Sequence, residues 1–257
     1  MPFVPRRPPR HDLDAGGSPE VLAEKAALRE QVWADLSSAG AARFPGARGR
    51  IPNFTGAERA ADALAATAEW SGAATVKANP DSPQWPVRQR ALEDGKTVYM
   101  AVPRLAGERP FFLLDPASLR DPPRVAASIK GASRSARTIG VERLAPVDLV
   151  VAGCVAVGGD GARLGKGGGF SDLEFAVASA AGLIGAGTVV ATTVHDRQVL
   201  PAGVIPTTGH DLWVDLIVTP EQVIRPARRR RAAGSVRWEE LTEEKIAAIP
   251  LLAAMRP

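Results

Sequence analysis

The stretch Gly161-Ala162-Arg163-Leu164-Gly165-Lys166-Gly167-Gly168-Gly169-Phe170-Ser171-Asp172-Leu173-Glu174 comes after the apolar run 147–152 and opens a helix-like run that extends to residue 182. Its five glycines in nine residues allow backbone N–H groups to turn toward one point without Cβ clashes. The start of the helix adds free N–H groups and a partial positive charge, and Arg163 and Lys166 add full charges. The stretch therefore predicts a strand–loop–helix unit that cradles a phosphate. A flexible glycine-rich surface loop is the alternative.

Two common phosphate-binding motifs do not fit this stretch. A Walker A loop needs glycine five residues before Gly165 and Ser or Thr after Lys166, but Asp160 and Gly167 occupy those positions. A dinucleotide fingerprint that begins at Gly165 needs a glycine where Phe170 stands. A phosphate loop here would therefore belong to another class.

Helix-like and strand-like patterns alternate on both sides of the loop. Ser18-Pro19-Glu20 supplies an N-cap, a first-turn proline and an acid for a helix that runs to about residue 38. We expect further helices at 57–67 and 87–93, strands at 75–78, 97–102, 111–114, 149–157, 188–194 and 212–219, a polar connection at 118–140, and a mobile C-terminal tail with one short helix. This alternation predicts an α/β fold with a mostly parallel sheet covered on both faces.

The composition limits the class of protein. We divide the 257 residues into a basic, proline-rich tail at 1–17, an α/β domain at 18–226, and a basic linker and C-terminal tail at 227–257. No apolar run reaches the roughly 18 residues of a membrane span, and the N-terminus lacks the apolar core of a secretory signal. The single cysteine, Cys154, predicts a reducing compartment, so we expect a cytoplasmic protein without a membrane partner.

Charge and metal-binding residue types exclude further classes. The net charge is +4, and arginines cluster in both tails, including residues 228–231. We interpret these tails as solvated and expect no nucleic-acid partner, because no aromatic residue alternates with the arginines; contact through the tails stays an alternative. One cysteine and three scattered histidines do not form a zinc motif, and a G-x-S-x-G hydrolase motif is missing. The abundance of alanine and arginine is typical of proteins from GC-rich bacterial genomes.

The pattern G-x-R-L-G-x-G-x-G-[YF]-x-D at 161–172 resembles the signature loop of the 5-formyltetrahydrofolate cyclo-ligase family, also called methenyltetrahydrofolate synthetases. Residues 209–219 resemble the closing strand of that family, and Lys25 and Arg29 resemble its N-terminal Lys-x-x-x-Arg pair. The segments at 29–33, 50–57, 76–83 and 193–196 are similar to a divergent branch, the methenyltetrahydrofolate synthetase domain-containing proteins. The resemblance covers about residues 20–226.

This resemblance implies a three-layer α/β/α fold and an ATP- and Mg²⁺-dependent ligase of folate one-carbon metabolism. In the family reaction, the formyl oxygen of 5-formyltetrahydrofolate takes the γ-phosphoryl group, and attack by N10 then closes the ring of 5,10-methenyltetrahydrofolate. The resemblance assigns catalytic roles to Lys166, Arg163 and Asp172, metal binding to Asp172, and nucleotide binding to Lys25, Arg29, Gly165, Gly167, Gly168, Gly169 and Phe170. We expect a monomer that binds ATP and a reduced folate.

Several of these residues also fit structural roles. Asp172 could cap the helix that it begins, and spacing alone would allow Lys25 and Arg29 to form a solvated basic face. His195 follows a strand end, where α/β sheets place ligands, but it could equally hydrogen-bond to its neighbours. Weaker candidates for substrate contacts are Phe54, Lys77, Trp85 and His195. The two aromatic rings could stack on a pterin or belong to the core.

The substrate half departs from the family pattern. Ordinary cyclo-ligases have Tyr-Tyr-Asp where this chain has Phe170-Ser171-Asp172, and a folate-holding glutamate where it reads Ile51-Pro52-Asn53-Phe54-Thr55-Gly56. A pterin buried without that acceptor has unpaired ring donors. We therefore expect weak or absent turnover of 5-formyltetrahydrofolate with intact ATP binding, unless Asp81 or Asp196 supplies the acid. The alternatives are another small heterocyclic substrate at the same ATP site, or a non-catalytic RNA-associated or regulatory role.

Overall fold

A computed structural model of the chain describes residues 17–102, 109–168, 170–209, 211–227, 236, 238, 241 and 243–256. The helices in these ranges are α1 (Pro19–Ser38), α2 (Ala57–Ala65), α3 (Ala68–Ser71), α4 (Trp85–Glu93), α5 (Pro123–Ala126), α6 (Ile129–Ser135), α7 (Phe170–Ala180), α8 (Glu243–Ala248) and α9 (Pro250–Met255). The strands are β1 (Thr75–Ala78), β2 (Thr97–Ala101), β3 (Phe111–Leu114), β4 (Arg137–Ile139), β5 (Leu149–Val151), β6 (Ala156–Gly158), β7 (Arg163–Leu164), β8 (Val189–Thr193), β9 (Val199–Leu200), β10 (Leu216–Val218) and β11 (Val223–Ile224). Short 3-10 helices occur at Ser82–Gln84, Val141–Arg143 and Asp196–Gln198.

Eight strands form the central sheet in the order β11-β10-β8-β5-β1-β2-β3-β4. The central strands from β10 to β2 pair in parallel, whereas β11, β3 and β4 add antiparallel edges. The chain passes from β1 to β2 on one side and later places β5 on the other side of β1. The strand order therefore reverses between β1 and β5. Open α/β sheets bind ligands outside the carboxyl ends of the strands at such a switch point.

Helices cover both faces of the sheet and give three layers. On one face, Leu64 of α2 and Val87 of α4 are buried in a core that includes Leu149 of β5. On the other face, Phe175 of α7 packs in a core that includes Val150 of β5. Residues 149 and 150 serve opposite faces because side chains alternate along a strand. The prediction of a three-layer α/β/α fold with a mostly parallel sheet is confirmed.

The run 149–157, expected as one strand, is split in two. β5 belongs to the central sheet, and β6 belongs to a separate three-stranded sheet in the order β7-β6-β9. Side chains take the backbone groups that would extend β5: Asn79 Oδ1 accepts the Gly153 N–H at 3.1 Å, and Gln198 Nε2 donates to the Val155 carbonyl at 2.9 Å. The glycines from Gly165 onward therefore follow a β6–β7 hairpin, and the prediction of a single strand over 149–157 before the glycine loop was wrong.

The connection at 118–140, expected to be irregular, contains regular structure. It holds α5, α6 and the edge strand β4. Ser128 caps α6, because its Oγ accepts the Gly131 N–H at 2.9 Å. The polar composition of this segment hid short helices that are fixed by a cap and by their contact with the sheet edge.

The C-terminal segment also packs against the domain. α8 lies within the short helix expected near residues 239–248, and α9 is additional; Ile249, between them, and Leu252 of α9 are buried in a core with Leu173 of α7. The expectation of a mobile tail is therefore corrected for residues 243–256, because burial of these apolar side chains holds the two helices in place. The domain boundaries themselves stay a prediction.

The first helix begins as the sequence predicts and is anchored to the loop before α2. Ser18 Oγ accepts the Val21 N–H at 3.5 Å, and a proline occupies the first turn. Farther along α1, the Trp33 indole N–H donates to the Arg50 carbonyl at 3.0 Å. Among the described residues, no helix combines the length and apolar character needed to cross a bilayer.

Candidate functional site

The switch point between β1 and β5 is closed by direct hydrogen bonds between the two strand ends. Asn79 follows β1, and its backbone N–H donates to the Val151 carbonyl at 3.2 Å. Its side chain accepts the Gly153 N–H, as described above. The segments that follow β1 and β5 therefore meet at this point, and the glycine stretch lies against them.

The Arg163 side chain packs against the backbone of Gly165 within the glycine stretch. Its side chain is buried; Nε donates to the Gly153 carbonyl at 3.1 Å, and Nη1 lies 2.9 Å from Asp172 Oδ1. A Cβ added to Gly165 would lie 3.1 Å from Arg163 Nη2, so the loop passes close over the guanidinium. Burial has the largest single effect on the pKa of Arg163 and would lower it, but the charge and hydrogen bond of Asp172, together with Cys154 and Asp211, hold this pKa above its ordinary value. Arg163 is therefore a fixed cation beneath the loop.

Helix α1 brings Lys25 and Arg29 to the same place, as the sequence predicts. The Arg29 side chain is buried, and its Nε donates to the Gly165 carbonyl at 2.7 Å. Lys25 is also buried, and its Nζ lies 2.8 and 2.6 Å from the two carboxylate oxygens of Asp211. Asp211 in turn accepts the Thr208 N–H at 2.6 Å. The i, i+4 spacing thus forms a buried face against the loop, and the alternative of a solvated basic face is wrong.

Lys166 differs from these cations because it projects toward solvent. Its side chain is 46% exposed, and its Nζ lies 3.7 Å from Asp81 Oδ1, the carboxylate of a residue after β1. Gly167 beside it has φ of 106°, a left-handed conformation that favours glycine. The exposed ammonium on this turn is available to an anionic ligand. Gly169 and the side chain of Phe170 lie outside the described residues.

Lys77 is part of a buried ion pair. Its Nζ lies 2.8 Å from Glu174 Oε2, and the Asn79 amide donates to the same oxygen at 3.1 Å. The Asn79 amide also reaches Ser171 Oγ at 3.3 Å. These contacts tie the first turn of α7 to the end of β1. Sequence reasoning treated Lys77 as a weak substrate contact and missed this pairing, because it joins residues 97 positions apart.

The two aromatic candidates, Phe54 and Trp85, lie in different places, and His195 lies beside Phe54. Phe54 is fully buried, and its ring meets the His195 ring edge-on with 6.2 Å between centroids. His195 Nδ1 accepts the Arg197 N–H at 3.2 Å and so caps the 3-10 helix that follows. Trp85 instead donates to the Arg124 carbonyl at 2.9 Å in α5. The structure therefore pairs Phe54 with His195 and gives Trp85 a contact with α5.

Asp172 is the carboxylate that the sequence assigns to a magnesium ion, and its contacts show what kind of metal site it could form. Asp172 Oδ1 accepts from Arg163 and from the Leu212 N–H at 3.0 Å, and the side chain is partly exposed. Among the residues that the structure describes, no group of three His, Cys, Asp or Glu side chains could hold a metal. Mg²⁺ in nucleotide sites is often bound by one or two carboxylates together with phosphate oxygens. Asp172 fits an ion that arrives with a nucleotide and does not fit a resident protein cage.

Comparisons with known proteins bear on the family and the fold of this chain. A model of the 5-formyltetrahydrofolate cyclo-ligase family matches residues 21–220. A methenyltetrahydrofolate synthase domain-containing protein of Bos taurus is 37% identical over 240 residues, which are 93% of this chain and 63% of that protein. The Homo sapiens protein of the same name is 35% identical over 231 residues, which are 89% and 60% of the two chains. The NMR structure of Aquifex aeolicus 5,10-methenyltetrahydrofolate synthetase shares the fold, with a TM-score of 0.51 and 20% identity over 81% of this chain and 96% of that one.

These matches test the resemblance stated from the sequence. The chain spans less than two thirds of the length of the two curated relatives. Both relatives are mammalian, so bacterial origin stays a prediction. The family match includes α1, the glycine stretch and the strands on both sides of the switch point. The resemblance is confirmed, and the chain belongs to the 5-formyltetrahydrofolate cyclo-ligase family.

Proposed function

We propose that this chain is an ATP- and Mg²⁺-dependent ligase of the cyclo-ligase type, which converts 5-formyltetrahydrofolate or a related small heterocycle by phosphoryl activation and ring closure. The observation that carries the proposal is the convergence at Gly165. Arg29 from α1 donates to the carbonyl of this residue, Arg163 packs beneath it, and Lys166 projects from the next position. These cations and the start of α7 lie at the carboxyl edge of a parallel sheet, an arrangement that supports phosphate binding by the N–H groups of the loop.

The chemistry needs positioning and charge, not a protein nucleophile. In-line phosphoryl transfer is accelerated by holding the reactants in place and by stabilising charge on the transferred group. In the proposed complex, Lys166 contacts the terminal phosphates, and the N–H groups of Gly165, Gly167 and Gly168 supply further donors. Arg29 and Arg163 keep the loop in position and add positive potential from below. Mg²⁺, when bound, neutralises charge on the phosphate oxygens, and Asp172 is the carboxylate that would hold it.

The identity of the second substrate is the open part of the proposal. Residues 51–56, taken from the sequence as the counterpart of the family's glutamate segment after the first strand, contain no carboxylate and in fact precede the first strand, β1; the segment that follows β1 contains Asp81. The two acids that could compensate have other contacts: Asp81 lies beside Lys166, and Asp196 accepts from Thr219 Oγ1 at 2.6 Å. These contacts favour the alternative in which the ATP site serves a heterocycle other than 5-formyltetrahydrofolate. A cytoplasmic monomer stays our expectation.

Calorimetry with pure protein tests the nucleotide half. We expect the wild type to bind a non-hydrolysable ATP analogue with Mg²⁺, and an absorbance assay for 5,10-methenyltetrahydrofolate then measures turnover. Efficient ATP-dependent formation of this product would show that another residue replaces the missing glutamate. A wild type that binds no nucleotide under these conditions would refute the proposed function. RNA binding that survives deletion of residues 1–16 and 228–235 would favour the non-catalytic alternative.

A further inference from the structure

Three buried polar atoms have no hydrogen-bond partner in the part of the chain that the structure describes. They are Gln84 Oε1, Gln84 Nε2 and Thr193 Oγ1. Gln84 is fully buried at the end of the 3-10 helix that follows β1, and Thr193 is the last residue of β8. A buried donor or acceptor without a partner is costly, so native proteins rarely retain one without a reason. Here both functional atoms of one carboxamide are unpaired.

The three atoms belong to one place beside the switch point. A Cβ added to Gly153 would lie 2.7 Å from Gln84 Oε1 and 2.9 Å from Ile51 Cγ2, so the carboxamide and the Ile51 side chain together cover this glycine. β5 pairs with β8 in the register Val151 with Ala191. Thr193 lies two residues beyond Ala191 and therefore faces the same side of the sheet as Ala191, whose side chain packs in one core with Val87 of α4. Gln84 directly precedes α4, so the hydroxyl and the carboxamide both lie at the carboxyl edge of the sheet, on the face that α4 covers.

This cluster lies close to the proposed position of the terminal phosphates. The Gln84 backbone N–H donates to the Asp81 carbonyl at 3.2 Å, and the Asp81 carboxylate is the group beside Lys166. The adenine ring of ATP is separated from the terminal phosphate by a ribose and two phosphates. The group that accepts the phosphoryl group must instead lie next to that phosphate. A ring that binds at Gln84 is therefore the second substrate.

The chemistry of a carboxamide defines which ring edge it can recognise. Gln84 offers one acceptor and one donor side by side, so it pairs with a ring that presents an N–H donor next to an oxygen or nitrogen acceptor, in the same way that Gln pairs with the edge of adenine. We propose that Gln84, assisted by Thr193, binds the second substrate through such a donor–acceptor edge. The lactam of a pterin and the amidine of a 4-aminopyrimidine both present one. This inference rests on the proposed function, because it takes the phosphate position from it.

Ile51 closes the site in this conformation. Its side chain is buried and contacts the same space over Gly153 as the carboxamide. A ring that enters must displace this side chain and then supplies the partners that Gln84 and Thr193 lack. Binding therefore replaces the contact with the Ile51 side chain by hydrogen bonds to Gln84 and Thr193. The affinity for the ring should then depend on these two polar side chains.

The test compares Gln84→Leu and Thr193→Val with the wild type. Gln89→Leu is the matched control, because Gln89 lies on α4 and bonds to Glu93. Calorimetry measures binding of a non-hydrolysable ATP analogue with Mg²⁺, and then of 5-formyltetrahydrofolate and of 4-amino-5-hydroxymethyl-2-methylpyrimidine to the analogue complex. For whichever ring compound binds the wild type, we expect Gln84→Leu to weaken its affinity by about tenfold or more. The affinity of this variant for the ATP analogue should stay within about twofold of the wild-type value. Thr193→Val should weaken ring affinity by a smaller factor, and the control should change neither affinity.

The outcomes separate this inference from the proposed function. A wild type that fails to bind the ATP analogue refutes the proposed function. If the analogue binds but neither ring does, the ring site is refuted and the phosphate site stands. If Gln84→Leu leaves ring affinity unchanged, whatever its effect on the melting temperature, the carboxamide does not contact the ring and the inference is overturned. If Gln84→Leu binds the ATP analogue more weakly and ring affinity is unchanged, the carboxamide contacts the adenine ring of ATP. That result would also overturn the inference.

Discussion

The two sides of the switch point differ in how their buried polar groups are satisfied. On the loop side, the buried charges have protein partners: Lys25 with Asp211, Arg163 with Asp172, and Lys77 with Glu174. On the other side, the Gln84 carboxamide and Thr193 hydroxyl have none among the described residues. The first side is complete before any ligand binds. In the inference proposed above, the second obtains its partners from the ring that enters, so the two sides would divide phosphate binding from the choice of substrate.

The largest expected effect tests whether the loop side depends on its internal pairs. Lys77→Met should leave the Glu174 carboxylate buried without its partner, which destabilises a fold by about 3–5 kcal/mol. Urea unfolding monitored by circular dichroism measures the change. Arg90→Ala, which breaks exposed pairs with Asp62 and Asp94, is the control and should cost less than about 1 kcal/mol. Equal effects for the two variants would contradict the distinction between the buried and exposed pairs.

Lys166→Ala tests the exposed cation of the same side. Loss of a charge-assisted phosphate contact should weaken ATP binding by about 1.5–3 kcal/mol, roughly ten- to a hundredfold. The folded state should change by less than about 0.5 kcal/mol, because the side chain is half exposed. Calorimetry and thermal unfolding on the same preparations give both quantities, with Arg90→Ala again as the control. Unchanged ATP affinity would remove Lys166 from the site.

Gly153→Ala tests the unsatisfied side. The added methyl group would meet the Gln84 amide and Ile51, so overpacking should cost about 1 kcal/mol, at the low end of the usual range because both neighbours are side-chain atoms. Combining it with Gln84→Ala should recover part of this loss, because the carboxamide no longer occupies that space. Chemical denaturation of the single and double variants gives the coupling. Additive effects would mean that Gln84 does not cover Gly153 in solution.

The smallest expected effect concerns the exposed pair of Glu69 with Arg225, which supplies a baseline for charges away from the site. Hydrogen bonding to Arg225 lowers the pKa of Glu69, so its contribution to stability is present at neutral pH and is lost as the pH falls through the lowered pKa. The pair should contribute about 0.2–1 kcal/mol. The free energies of unfolding of wild type and Glu69→Gln should therefore differ at pH 7 and converge as the pH falls below the lowered pKa of Glu69. A difference that persists at low pH would contradict this.

Local signals in the sequence predict much of this structure. The Ser-Pro-Glu start of α1, the i, i+4 spacing of Lys25 and Arg29, and the glycine stretch are each encoded within a few residues. The structure contains α1 and places Arg29 against the stretch and Lys25 against Asp211. The alternation of strands with helices likewise predicts the sheet. Sequence patterns are informative here because caps, periodicity and turn residues act over short distances.

The features that were missed depend on residues far apart in the sequence. β5 ends early because the side chains of Asn79 and Gln198 take its backbone groups. The Lys77–Glu174 pair joins β1 to α7. The buried Gln84 amide lacks hydrogen-bond partners among the described residues because it packs against Gly153 and Ile51. No periodicity or propensity reports such contacts, so a single sequence gives the residues without their pairing.

The ion pair between Lys25 and Asp211 joins residues 186 positions apart and has a consequence for biosynthesis. As the chain emerges from the ribosome, α1 is available early, but its buried ammonium has no counter-ion until the segment before β10 has been made. Until then, the inner face of α1 can only be solvated or held by a chaperone, because an unpaired buried charge is prohibitively costly. A chain interrupted before residue 211 would therefore contain the glycine stretch and α1 but would lack the carboxylate that pairs with Lys25.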